Sequence, residues 1–132
     1  MEKIEEVIIN NSEDVILSRQ LAREMARELG FGLADQTRIT TAVSELSRNI
    51  YLYAGTGRVI IKAVSSAKKG IEIVADDKGP GIPDIELAMQ DGYSTSKALG
   101  QGLPGTKRLM DEFEIKSEVG VGTTVTIRKW LR

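Results

Sequence analysis

The sequence predicts an α/β fold: a two-layer α/β sandwich with a mixed, mostly antiparallel sheet and helices on one face. Three observations lead there. Two pairs of β-rich segments follow one another with only a turn between them, which suits antiparallel hairpins rather than helix-crossed parallel strands. Two long segments near the N-terminus repeat apolar residues at the helical period. The 132 residues fit a single domain, 1–132, with one hydrophobic core.

Lys3–Ile9 is rich in β-branched residues and reads as the first strand. Asn11 or Ser12 can cap a helix that runs to Leu29, where Gly30 supplies the stop. Leu21, Met25 and Leu29, with Ala22 and Ala26, form its apolar stripe. After the joint Phe31-Gly32, Asp35 opens a second helix that ends near Gly55. Its inward positions are Ile39, Ala42, Val43, Leu46 and Ile50. Arg58–Val64 and Gly70–Ala75 are strands joined by the polar turn Ser65–Lys69. A short helix is expected over Asp84–Met89. Asp91–Gly102, DGYSTSKALGQG, has no apolar period and reads as a mobile loop. Thr106–Phe113 is expected as a helix with Leu109 and Met110 inward. Glu114–Glu118 and Thr123–Trp130 close the sheet around the turn Val119–Gly122.

The composition excludes several classes of function. A net charge of −1 offers no basic field for nucleic acid or anionic lipid. No apolar run approaches the roughly 18 residues that span a bilayer, and MEKIEEVIIN lacks the basic-then-apolar order of a secretory signal. The absence of cysteine suits a reducing cytoplasm. Histidine is also absent, which excludes a Ser-His-Asp triad, a histidine-ligated metal and phosphorelay through the chain's own histidine. Chemistry must rest on carboxylates, amides, hydroxyls and lysine or arginine.

Four local patterns carry such chemistry. Asp76 and Asp77 stand at a strand end before Gly79-Pro80-Gly81. One of the two can point inward, and a buried carboxylate accepting from an exocyclic amine selects adenine over guanine at that edge. Gly100, Gly102 and Gly105 have the spacing of a dinucleotide fingerprint, but no buried strand precedes them, and a P-loop would need Thr106 and Lys107 reversed. What survives is a glycine-rich loop opening a helix near Pro104, whose free N–H groups can cradle phosphate. Glu45 and Asn49 share a helix face at the edge of the apolar stripe. Such a pair is more often a solvated edge, yet over a cleft the carboxylate can orient a hydroxyl while the amide oxygen takes Mg²⁺. Gly120-Val121-Gly122-Thr123-Thr124 is a tight hairpin with hydroxyls beside it, and alone it is just a turn.

Together and in this order, the patterns resemble the Bergerat ATP-binding fold of the GHKL superfamily, which includes DNA gyrase, a heat-shock chaperone, histidine kinases and mismatch-repair ATPases. Glu45-x-x-x-Asn49 matches its N-box, and Asp77-x-Gly79-x-Gly81 its first glycine box. Gly100-x-Gly102-x-x-Gly105 matches the second, and Gly120-x-Gly122-Thr123 the last. Within the superfamily, RQLAREMARELGFG, DQTRITTAVSELSRNIYLYAG, DKGPGIPDI, DGYSTS, LGQGLPGTKRLMDEF and the ending KWLR are similar to the small switch serine/threonine kinases of bacterial partner-switching pathways, stressosome type.

The resemblance implies Mg²⁺-ATP as cofactor, with adenine on Asp77 and Thr123 over Gly79 and Gly81 and phosphates on Gly100, Gly102 and Gly105. It implies Mg²⁺ on Asn49, and Glu45 as the group that orients the substrate hydroxyl. It implies STAS-domain proteins as substrates and a downstream phosphatase as the next partner. Related anti-sigma kinases bind a sigma factor, a less expected role here, and a non-catalytic ATP-gated binding module is the alternative from another class. Lys97-Ala98 departs from the small residues expected in the lid, and Lys97 or Arg108 is the expected contact of the γ-phosphate.

Overall fold

The computed structural model describes residues 3–90 and 102–132. Strands β1 (Ile4–Ile9), β2 (Gly57–Ser65), β3 (Lys69–Asp77), β4 (Glu112–Glu118) and β5 (Gly122–Trp130) form one sheet in the order β1-β2-β3-β5-β4. Every described pairing is antiparallel. Helices α1 (Ser12–Leu29), α2 (Leu33–Asn49) and α4 (Gly102–Leu109) cover one face, and α3 (Ile85–Ala88) is a single short turn. No described helix is long and apolar enough to cross a membrane.

The strand period of two sorts the sheet into a core face and an open face. Val59 and Ile61 of β2, Ile71, Ile73 and Ala75 of β3, and Val125 and Ile127 of β5 all point to the helices and are buried. Ala22, Met25 and Ala26 of α1 and Ile39, Val43 and Leu46 of α2 meet them as one core. Reciprocal bonds start α1. The Asn11 side chain accepts from the Asp14 N–H at 3.1 Å, and the Asp14 carboxylate accepts from the Asn11 N–H at 3.2 Å.

Several elements depart from their sequence expectation. Helix α2 starts at Leu33 after an extended Gly32, so Asp35 lies in its first turn rather than at its cap. There the carboxylate suits the helix dipole and pairs with Arg38 at 2.7 Å. Beyond Asn49 the chain widens into a π-helical turn, Ile50–Ala54, closed by the Gly55 N–H donating to the Ile50 carbonyl at 2.9 Å. Helix α4 begins at Gly102 and stops at Leu109, and Phe113 belongs to β4. Strand wins over helix there because Phe113 lies opposite Ile127, where its ring packs against the core.

The start of α2 is tied to the far edge of the sheet by charge. Lys129, only 8% exposed, lies 3.7 Å from Asp35 and 3.5 Å from Asp111. Asp111 also accepts the Trp130 N–H at 2.8 Å and pairs with Arg132.

Candidate functional site

Register decides which of the two aspartates faces inward. Ile9, Gly57, Asp77, Thr123 and Ser117 lie side by side as the last row of the core face. Asp76, one residue earlier, is on the open face, bonded to Arg58 at 3.2 Å and to the Thr124 hydroxyl at 2.7 Å. Asp77 Oδ1 accepts from the Gly79 N–H at 2.8 Å and the Thr123 N–H at 3.3 Å. Its other oxygen takes part in neither bond, and Asp77 lines a cavity of about 420 Å³.

The cavity has a sheet wall, a helix wall and a loop wall. Asp77 and Thr123 come from the sheet, Asn49 and Tyr53 from α2 and its π-turn, and Pro80–Asp84 from the loop after β3. Two glycines let these walls approach. A Cβ on Gly79 would sit 2.7 Å from the Ala54 Cβ. Gly81 has φ +79, and a Cβ there would meet the Glu118 carbonyl oxygen. Ser117 fastens the loop: its hydroxyl accepts from the Ile82 N–H at 2.8 Å and lies 2.8 Å from the Thr123 hydroxyl.

Gly102 opens α4 on the cavity wall, and Gly105 is buried in that helix's first turns. The first N–H groups of a helix have no intrahelical partner, so this end can receive phosphate. Gly100 and Lys97 lie outside the described residues. Arg108 is in the last turn of α4.

Glu45 is not the helix-edge residue that its spacing suggests. Its side chain is 2% exposed. Oε1 accepts from Arg48 Nη1 at 2.8 Å, while Oε2 is buried with no hydrogen-bond donor among the described residues. Glu45 stands one turn before Asn49 and is not itself on the cavity wall.

Sequence reasoning brought Asn49, Asp77, Gly81, Gly102 and Thr123 to this cavity, and all five line it. It missed Tyr53 and Ala54 on the cavity wall, and Ser117, which fastens the loop through the Ile82 N–H. The expected turn Val119–Gly122 would set Glu118 opposite Thr123; the observed hairpin pairs Glu118 with Gly122, and this shift of one residue brings Ser117 opposite Thr123. Tyr53 gave no signal, because the π-turn shifts its phase.

The residues present suit Mg²⁺-ATP. The cavity, about 420 Å³, is lined by the Asp77 carboxylate and by Gly102 at the start of α4. Among the described residues no three His, Cys, Asp or Glu side chains cluster to hold a metal ion. A single amide oxygen from Asn49 fits Mg²⁺, which keeps waters and takes phosphate oxygens rather than a protein cage.

The histidine kinase-like ATPase domain matches the chain over residues 9–129. The chain belongs to that family. It is 60% identical over 120 residues to the serine/threonine-protein kinase RsbT of Bacillus subtilis (strain 168), covering 90% of each chain. An anti-sigma F factor of Thermoanaerobacter sp. (strain X514) is 33% identical over 129 residues, covering 93% of this chain and 90% of its own. The solved RsbU and RsbW domains of Rv1364c from Mycobacterium tuberculosis superpose with a TM-score of 0.69 at 19% identity, over 100% of this chain and 33% of that one. The mycobacterial sensor histidine kinase MprB follows at a TM-score of 0.57 and 18% identity, over 98% of this chain and 97% of that one. These two show the shared fold. An ATPase domain of this family binds ATP, and at its identity to RsbT the chain is a protein kinase of the partner-switching kind. The anti-sigma relatives are more distant.

Proposed function

We propose that the chain transfers the γ-phosphoryl group of Mg²⁺-ATP to a serine or threonine of a STAS-domain protein in the cytoplasm. Once released from that protein, it engages and activates a downstream phosphatase. The observation that carries the catalytic reading is Glu45, a buried carboxylate with one oxygen left without a donor, one turn from the cavity-lining Asn49. A module that only bound ATP would have no use for so costly a group.

The roles are those that the family resemblance assigns, and the lining of the cavity supports them. Asp77 accepts from the adenine amine and Thr123 borders the same edge of the ring. Gly79 and Gly81 let the loop pack against Ala54 and Glu118 and so shape the floor under the ring, and the N-terminus of α4 would receive the phosphates. Asn49 holds Mg²⁺. Bound Mg²⁺-ATP supplies the phosphoryl group and the charge that offsets its oxygens. Glu45 orients the attacking hydroxyl and accepts its proton, a modest task when positioning does most of the work.

The experiment is radiolabelled ATP with a STAS-domain protein, followed by mapping of the phosphosite. Label on a serine or threonine is expected. ATP binding without transfer to any STAS protein would leave the gated binding module instead.

A further inference from the structure

Burial of Glu45 raises a question that the transfer chemistry does not answer. A carboxylate removed from water is costly to keep ionised unless a counter-charge and hydrogen bonds replace its solvation. Among the described residues, the group that bonds Glu45 is Arg48, three residues on in the same helix, with Nη1 at 2.8 Å from Oε1. The Arg48 side chain is 27% exposed, so one end of the pair reaches solvent while the other lies in the core.

The form of the contact is informative. A guanidinium fork can take both oxygens of a carboxylate. Here it takes one, and Oε2 has no donor among the described residues. Two parallel bonds would tie both oxygens to the arginine. One bond fixes the carboxylate and leaves the second oxygen without a donor among the described residues.

We infer that Arg48 is a positioning residue for phosphotransfer: it holds one oxygen of Glu45 so that the other is left to take the proton of the substrate hydroxyl. The inference rests on the kinase reading above and deepens it. In the step itself the hydroxyl oxygen forms the new O–P bond, the bond between the γ-phosphorus and its bridging oxygen breaks to leave ADP, and the hydroxyl proton passes to Oε2. Glu45 becomes neutral, and Arg48 keeps its charge and its bond to Oε1.

The test compares wild type with Arg48→Ala, Arg48→Lys, Glu45→Gln and the Glu45→Gln/Arg48→Ala double variant. Phosphotransfer, ATP affinity by calorimetry and urea unfolding of the nucleotide-free chain are read for each. Arg48→Ala should lower kcat by about 10- to 100-fold, part of what a general base contributes, with ATP affinity within about twofold. Arg48→Lys should recover most of that loss. In the Glu45→Gln background, Arg48→Ala should lower the rate no further, because it acts through the carboxylate. Unfolding should show the same coupling: Arg48→Ala alone destabilises, and Glu45→Gln relieves it.

Equal losses from Arg48→Ala in both backgrounds would overturn the inference and show that Arg48 acts on its own. A higher KM with unchanged kcat would make it a binding residue, and a normal rate would reduce the pair to structure. If Arg48→Ala does not fold, Arg48→Lys and the double variant, which buries no unpaired charge, still decide. A wild-type chain that binds ATP but phosphorylates nothing would overturn the kinase reading, and the inference with it.

Discussion

Replacing Asp77 by asparagine exchanges one carboxylate oxygen for an amide and leaves the rest of the residue's bonds in place. The Asn carbonyl can accept from the Gly79 and Thr123 N–H groups as Asp77 Oδ1 does, at 2.8 and 3.3 Å. The turn after β3 and the pairing with β5 should therefore persist. What changes is the second atom, which becomes an NH₂ donor facing the adenine amine, itself a donor. A charge-assisted hydrogen bond contributes about 1.5–3 kcal/mol, so ATP should bind roughly 10- to 100-fold more weakly. The same NH₂ suits the O6 acceptor of guanine, and the preference for ATP over GTP should narrow. Calorimetry with both nucleotides measures this, with thermal unfolding of the free variant as the control. Unchanged ATP affinity in a folded Asp77→Asn protein would refute the assignment of adenine to this residue.

Three further outcomes are expected. Glu45→Ala should leave ATP affinity near wild type and lower phosphotransfer by about 10²–10⁴-fold, and a normal rate would show that Glu45 is not the base. Gly81→Ala forces a Cβ onto a backbone with φ +79 and toward the Glu118 carbonyl, so nucleotide affinity and the urea midpoint should both fall; an unaltered midpoint would show that the loop yields freely. Burial acts to raise the Asp111 pKa, but the Trp130 N–H, Lys129 and Arg132 outweigh it and the net shift is downward. Its stabilisation is therefore present above the unfolded carboxylate value of about 3.9 and is lost as pH falls through the lower folded value. Asp111→Asn should flatten the acid limb of stability against pH below about 4, and an unchanged limb would place the acid sensitivity elsewhere.

Local chemistry made much of the fold legible. Asn11 and Gly30 mark the ends of α1, and β-branched runs with turn residues mark the β2–β3 and β4–β5 hairpins. The candidate site was legible where a motif fixes the backbone, as at Gly79 and Gly81. It was less so where the answer depends on packing between distant segments. Whether Asp76 or Asp77 faces the core follows from the period of two through Ile71, Ile73 and Ala75, provided the strand runs unbroken to Asp77, and the glycines that follow leave its end open in the sequence. Glu45 looks like a solvated edge from its spacing in α2, and its 2% exposure follows from packing that this spacing does not contain. Phe113 has the spacing of a helix residue, and its place opposite Ile127 in the sheet overrides it.

The π-turn at Ile50–Ala54 has a consequence for chain length. An α-helix turns about 100° per residue, and a wider turn accommodates one residue more than the regular spiral would. Glu45 and Asn49 lie before that extra residue, while Tyr53 and Ala54 lie after it. The two halves of the helix wall are thus set in different rotational phases. Deleting a single residue here would restore an ordinary spiral and swing Tyr53 and Ala54 away from the cavity, with Asn49 left where it stands. At this point the chain stores its instruction as a count of residues, so that changes of identity can be absorbed where a change of length by one cannot.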